Sequence, residues 1–319
     1  MKKIVVLDAK TIGEFDVNLL KEFGEVVIYQ TTSKDETIER VKNANIILTN
    51  KVVISKEVID EAKNLELICE MATGFNNIDI AYAKEKGIAV TNVAGYSTPT
   101  VVQHTFATLF ALNNQIAYYD NFVKSGEYSK SGLFTNLDRP FIDIQNKKWG
   151  IIGLGTIGRE VAKVCDAFGA EVTYFSASGR NNSDKYKRVD LDTILRESDI
   201  ISIHAPLNEK TEGLINYENL SKMKKSAILI NMGRGPIVVE EDLAKAIDEY
   251  LIAGAALDVF KVEPMPIDSP LLKVKNKEKL ILTPHIAWAS VEARERLFNG
   301  IIENIKAFYN GEKRNRVEL

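Results

Sequence analysis

Cysteine is almost missing from this chain. Cys69 and Cys165 are the two in 319 residues, too few for a disulfide framework and without a metal-ligand spacing between them. A reducing, cytoplasmic setting and no bound metal are therefore expected. Long apolar runs are missing too. None approaches the roughly 18 residues that a membrane-spanning helix needs, so no membrane partner is expected. The apolar stretch behind Met1-Lys2-Lys3 ends at Leu7, too short for a signal peptide, and it reads as a first strand. No charge of one sign dominates. The 41 Lys and Arg against 44 Asp and Glu leave a formal net charge of −3, which excludes the basic footprint of a nucleic-acid-binding protein. Histidine is scarce, with three in all, so chemistry that needs an imidazole must use His104, His204 or His285.

What is present has a soluble globular balance, 45% hydrophobic and 27% charged residues. The length exceeds one ordinary core and predicts two domains. In the first hundred residues, short apolar strands at Ile4–Leu7, Glu25–Tyr29, Ile46–Leu48, Glu66–Cys69 and Ile88–Thr91 alternate with amphipathic helices. That alternation predicts a parallel sheet covered on both faces. Residues 100–124 follow, apolar on most sides (Val101, Val102, Phe106, Leu109, Phe110, Leu112, Ile116). A helix without a polar face must be buried on several sides, between domains or against a second subunit. A second alternating set supplies six strands, at 148–152, 171–175, 200–203, 227–230, 253–257 and 280–282. These predict a complete doubly wound nucleotide-binding sheet, and 290–309 reads as a final helix.

The first strand of that second set runs into Gly153-Leu154-Gly155-Thr156-Ile157-Gly158, with an amphipathic helix behind it. Gly153 permits the tight turn, Gly155 lets a pyrophosphate approach the backbone, and Gly158 lets helix and strand pack closely. The helix N-terminus then offers N–H groups and partial positive charge to phosphate. About 20 residues on, NAD enzymes place an acidic residue on the adenosine ribose. Here the strand leads to Ser176-Ala177-Ser178-Gly179-Arg180. Serine does not repel a 2′-phosphate and Arg180 can pair with one, so both NAD and NADP stay open.

Reduction of a 2-oxo acid needs a cation on the carboxylate, a proton donor for the developing alkoxide, and a group that keeps the donor charged. Arginine grips a carboxylate at two points, histidine titrates near neutrality, and a neighbouring carboxylate favours imidazolium. Arg234, in Asn231-Met232-Gly233-Arg234-Gly235, then Glu263, before Pro264, and His285, after Thr283-Pro284, each follow a strand end of the second domain. Ligands of open α/β sheets gather there. Among the other histidines, His104 reads as a hydrogen-bonded residue of the apolar helix. His204, before Ala205-Pro206-Leu207, reads equally as cofactor lining or as structure.

These motifs, with Ala72-Thr73-Gly74-Phe75-Asn76-Asn77-Ile78-Asp79, Tyr96-Ser97-Thr98-Pro99 and Leu257-Asp258-Val259-Phe260, strongly resemble the D-isomer-specific 2-hydroxyacid dehydrogenases over almost the whole chain. The strings Val102-Gln103-His104-Thr105 and His285-Ile286-Ala287-Trp288-Ala289 are most similar to the glycerate dehydrogenase and hydroxypyruvate reductase branch. The resemblance implies an α/β fold of two doubly wound parallel-sheet domains, with a Rossmann nucleotide-binding domain inserted in a flavodoxin-like substrate domain. Residues 1–98 with 288–319 would form the substrate-binding domain and 99–287 the NAD(P)-binding domain, with the active site in a cleft that closes to exclude water.

The resemblance further implies that Arg234 binds substrate, His285 is the acid/base and Glu263 supports it. Thr73, Gly74 and Phe75 would offer backbone N–H groups to the substrate carboxylate, with Trp288 beside the substrate. The cofactor would lie along Gly153, Gly155, Thr156, Ile157 and Gly158, then along Ser176 and Arg180. It would continue past His204, Pro206, Thr211 and Met232, with Asp258 on the nicotinamide side. A cytoplasmic homodimer reducing a small hydroxypyruvate- or glyoxylate-type 2-oxo acid is expected. A reductase of bulkier branched or aromatic 2-oxo acids and a non-catalytic dinucleotide sensor are the alternatives. Retention of Arg234, Glu263 and His285 together argues against the sensor.

Overall fold

The computed structural model describes all 319 residues, Met1–Leu319. The chain divides into two compact units, Met1–Ser97 with Ala289–Leu319, and Thr98–Trp288. In the first, β1 (Lys2–Val6), β2 (Gly24–Ile28), β3 (Ile46–Thr49), β4 (Leu67–Glu70) and β5 (Ala89–Thr91) alternate with α1 (Asn18–Lys21), α2 (Lys34–Val41), α3 (Lys56–Glu61) and α4 (Ile80–Glu85). All strand pairs are parallel, in the order β2-β1-β3-β4-β5. Every residue of β3 and β4 is buried, as strands covered on both faces require. Helix starts are set locally. Ser33 and Glu36 close a capping box on α2, and the Asp79 carboxylate accepts from Tyr82 N–H at 3.0 Å to start α4.

The second unit opens with α5 (Thr98–Asn113), α6 (Ile116–Lys124) and α7 (Glu127–Ser131). Its sheet comprises β6 (Lys148–Ile152), β7 (Glu171–Phe175), β8 (Lys187–Arg188), β9 (Ile200–Ile203), β10 (Ile228–Asn231), β11 (Gly254–Leu257) and β12 (Leu280–Leu282). The spatial order is β12-β11-β10-β9-β6-β7-β8, again with every pair parallel. On one face Val101, Phe106 and Leu109 of α5 pack with Ile151, Ile230 and Ala256. On the other, Ile201, Ile203 and Leu229 pack with residues of α9 (Leu191–Glu197), α10 (Tyr217–Lys222) and α11 (Glu240–Asp248). The helix behind the glycine turn is α8 (Thr156–Ala167). The chain then returns to the first unit with α12 (Val291–Tyr309), whose Gly300 lies so near Val93 that a Cβ there would stand 2.7 Å from Val93 Cγ1.

Two features depart from the sequence reading. The expected continuous helix over 100–124 is broken at Asn114-Gln115, where Gln115 has φ 52°. Gln115 Nε2 donates to Leu112 O at 2.7 Å and Asn113 Nδ2 to Ile142 O at 2.8 Å. Amide side chains thus bond to the backbone at the end of α5 and compete with its continuation. The sheet also has a seventh strand, the two-residue β8, whose Lys187 and Arg188 are both exposed. A polar edge pair carries no periodic signal.

Glu70 closes β4 with its side chain fully buried (0% exposed). Asn77 Nδ2 donates to Oε2 at 3.0 Å, while Oε1 has no partner. Burial pushes its carboxyl up to about 9, so the folded protein holds a neutral acid where the unfolded chain ionises near 4.5. The folded state binds the extra proton, so stability falls as pH rises between those two values. Glu70→Gln keeps the shape and removes that dependence. It should raise the unfolding free energy, and with it the melting midpoint, by little at pH 5 and by on the order of a few kcal/mol at pH 8. Thermal melts at both pH values measure this, and a gain that shrinks with pH contradicts it.

Candidate active site

The glycine turn fits a pyrophosphate. Gly153 has φ 97°, and a Cβ there would stand 2.7 Å from Ala205 N. A Cβ on Gly158 would meet Gly153 O at 2.2 Å, so α8 packs against the turn only through a glycine. Around Gly155, the N-cap of α8, a Cβ would meet nothing within 4 Å. That open approach, with Thr156 and Ile157 beginning the helix, leaves unpaired N–H groups directed outward.

Beyond β7, Ser176 is buried, and its carbonyl accepts from Gly179 N–H at 3.1 Å. Arg188 of β8, which the sequence reading missed, donates to Gly179 O at 3.0 Å and reaches Ser176 O at 3.5 Å. Arg159, in the first turns of α8, donates to Asn182 O at 2.6 Å. The loop carrying Ser176 and the exposed Arg180 is therefore flanked by two further guanidinium groups and no carboxylate contact.

His204 follows β9, its backbone N–H bonded to Ile152 O at 2.8 Å. The residue is half-buried overall, yet both ring nitrogens are sealed and without partners. Burial pushes the ring down to about 3, so it stays neutral. Thr211 is fully buried, and its hydroxyl bonds Pro206 O at 2.8 Å and accepts from Asn208 N–H at 2.9 Å. It shapes the Pro206 loop from behind. Met232 is buried directly after β10.

The loop after β10 is held by the last residue of that strand. Asn231, fully buried, accepts from Gly233 N–H and donates to Arg234 O, both at 3.0 Å. The Arg234 guanidinium donates to Gly233 O at 2.9 Å. Gly235 then crosses the segment after β11, where a Cβ would stand 1.9 Å from Phe260 C. On that segment Glu240 accepts from Lys261 N–H at 2.7 Å and Glu263 Oε1 from Phe260 N–H at 2.9 Å. Glu263 Oε2 lies 2.7 Å from His285 Nδ1. This fixes the imidazole by its Nδ1 side and leaves Nε2 as the atom to serve a ligand.

His285 itself has φ 53°, a region in which non-glycine residues are uncommon. Asp258, expected beside nicotinamide, is 1% exposed. It accepts from Thr283 O–H at 2.6 Å, Ile286 N–H at 3.0 Å and Ala287 N–H at 2.8 Å. Trp288 is half-buried at the end of this unit. Asn231, Glu240 and Arg188 were missed as supports because a buried Asn or a first-turn Glu carries no distinctive spacing.

In the first unit, Thr73-Gly74-Phe75 form the turn after β4. Thr73 is exposed, and Gly74 and Phe75 are half-buried. The turn is pinned from both sides, by Asn92 Nδ2 donating to Thr73 O at 2.7 Å and by Asn77 Nδ2 donating to Val52 O at 3.1 Å. No cluster of His, Cys, Asp and Glu could hold a metal ion. No helix is long and apolar enough to cross a membrane.

A family model for the NAD binding domain of D-isomer specific 2-hydroxyacid dehydrogenases matches residues 106–287. The chain is 37% identical over 316 residues to a hydroxypyruvate reductase of Blautia hydrogenotrophica, covering 97% of each chain. It is 39% identical over 322 residues to a glycerate dehydrogenase of Methylorubrum extorquens, covering 99% of each. Among solved structures it is similar to an acyclic imino acid reductase in complex with NADPH and D-Arg, with TM-score 0.87, 31% identity and 99% of each chain covered. The chain belongs to the D-isomer specific 2-hydroxyacid dehydrogenases. It is thus an oxidoreductase whose Thr98–Trp288 unit takes a nicotinamide dinucleotide.

Proposed function

We propose that this protein reduces a small 2-oxo acid of the hydroxypyruvate or glyoxylate type to the D-2-hydroxy acid. The observation that carries the reading is the 2.7 Å contact between His285 Nδ1 and Glu263, built on the same loops that lock Arg234. When bound, the reduced nicotinamide supplies a hydride to the carbonyl carbon. Arg234 holds the carboxylate and polarises the ketone. His285 delivers a proton from Nε2 to the carbonyl oxygen as negative charge develops there, and Glu263 stabilises the imidazolium. The backbone of Thr73-Gly74-Phe75 serves the substrate carboxylate in the first unit, and Trp288 borders the substrate. Similarity to relatives named hydroxypyruvate reductase and glycerate dehydrogenase supports this substrate class.

His285→Ala should lower turnover by about 10² to 10⁴-fold while dinucleotide binding survives. Glu263→Gln keeps the shape but removes the charge, and should cost most at alkaline pH, where imidazolium is hardest to hold. Steady-state rates with hydroxypyruvate across pH decide both. Near-normal turnover in His285→Ala would sink the assignment.

For the cofactor, the reading favours acceptance of NADPH. Ser176 offers no charge to repel a 2′-phosphate, and Arg159, Arg180 and Arg188 surround the loop. Arg180 is the phosphate partner, since Arg188 already serves the loop backbone. Ser176→Asp should shift kcat/KM towards NADH, and Arg180→Ala should weaken NADPH more than NADH. A parent enzyme that rejects NADPH overturns this.

The proposal includes a homodimer. No residue of α6 is buried, and beyond it Phe134 and Leu137 are 92% and 80% exposed, with Leu133 and Phe141 exposed nearby. An apolar strip of this kind suits a second copy of the chain. Sedimentation should show a dimer for the parent at micromolar concentration and a monomer for a Phe134→Asp, Leu137→Asp double variant. A monomeric parent contradicts it.

A further inference from the structure

Two imidazoles flank the segment Thr283-Pro284-His285. On one side His285 meets Glu263. On the other, His104 of α5 places Nε2 at 3.0 Å from Thr283 Oγ1. The Thr283 hydroxyl has a single hydrogen, and the 2.6 Å contact directs it to Asp258 Oδ1. Thr283 Oγ1 is then left to accept, so His104 bonds to it through a protonated Nε2. That nitrogen also lies 3.6 Å from Asp258 Oδ1, so the imidazole edge supports the carboxylate twice, through the hydroxyl and through space.

Asp258 is the centre of the arrangement. Its oxygens also accept from the N–H groups of Ile286 and Ala287, the two residues directly after His285. The neighbouring α5 side chains Val101, Phe106 and Leu109 are apolar and buried, whereas His104 keeps 18% of its side chain exposed. An aliphatic residue would fill that helix position as well. What histidine adds is the donor.

We propose that His104 is a positioning residue for the acid–base loop. Through Thr283 it fixes the Asp258 carboxylate, Asp258 fixes the backbone of Ile286 and Ala287, and that splint holds His285 at φ 53° with its ring on Glu263. The catalytic consequence rests on His285 being the acid/base. The structural consequence does not.

The test uses the full-length holoenzyme and the variants His104→Leu, His104→Gln, Thr283→Val and the His104→Leu, Thr283→Val double. Because the chain has three histidines, ring NMR signals are few, and His285→Ala assigns the one that matters. His104→Leu should lower kcat about 10-fold and displace the His285 ring signal, with KM for the dinucleotide within about twofold. His104→Gln, which keeps a donor, should retain most of kcat and leave the signal in place. The double variant should be no worse than Thr283→Val alone, as expected when both changes break one chain of contacts. An unmoved His285 signal in both His104→Leu and Thr283→Val overturns the inference, as do equal losses for Gln and Leu or fully additive losses in the double. If His104→Leu does not fold, Thr283→Val against Thr283→Ser makes the same decision. The ring signal is read whether or not the parent reduces hydroxypyruvate, so failure of this inference and failure of the proposed function remain distinct.

Discussion

The site depends on two backbone segments passing at a distance that only glycine allows. Gly235 lies against Phe260 so closely that a Cβ would overlap the carbonyl, 1.9 Å from its carbon. Overpacking of this order inside a close-packed region forces backbone shifts. The consequence is functional as well as steric. Arg234 precedes that crossing and Glu263 follows it, so the anion-binding side chain and the partner of the imidazole are set on one rigid junction. Asn231 ties one segment to itself and Glu240 ties the other to α11.

Parallel sheets with crossover helices bring every functional loop to one edge of the sheet. In the Thr98–Trp288 unit that edge carries the phosphate turn after β6, the serine and arginine loop after β7 and His204 after β9. It also carries Arg234 after β10, Asp258 and Glu263 after β11 and His285 after β12. The electrostatics divide along it. The β6–β7 side offers helix N–H groups and guanidinium, suited to phosphates. The β11–β12 side pairs carboxylates with an imidazole and with backbone N–H groups, suited to proton transfer. Asp258 belongs to the second set, its carboxylate accepting from Thr283, Ile286 and Ala287.

Much of this was legible in the sequence because it rests on period and punctuation. Alternating apolar strands and amphipathic helices gave both parallel sheets, and Gly153, Gly155 and Gly158 marked their turn by spacing that sterics explain. Thr211 and Asp258 were expected along the cofactor from family resemblance; both are buried and bonded to neighbouring loops, pairings that no spacing in the sequence marks. Pairings between distant residues, such as His104 with Thr283 or Arg188 with Gly179, have no signature along the chain because they exist only once the sheet is assembled. The break at Gln115 was hidden for a different reason. Apolar residues resume at Ile116 directly after Asn113-Asn114-Gln115, and it is the amide contacts of Asn113 and Gln115 that mark the end of the helix.

The most direct measurement is the fate of a labelled hydride. Reduction of hydroxypyruvate with a nicotinamide dinucleotide deuterated at the transferred C4 position should give D-glycerate carrying deuterium at C2. It should also show a primary isotope effect on single-turnover reduction. Glycerate without deuterium at C2, or deuterated glycerate of the L configuration, would contradict the account.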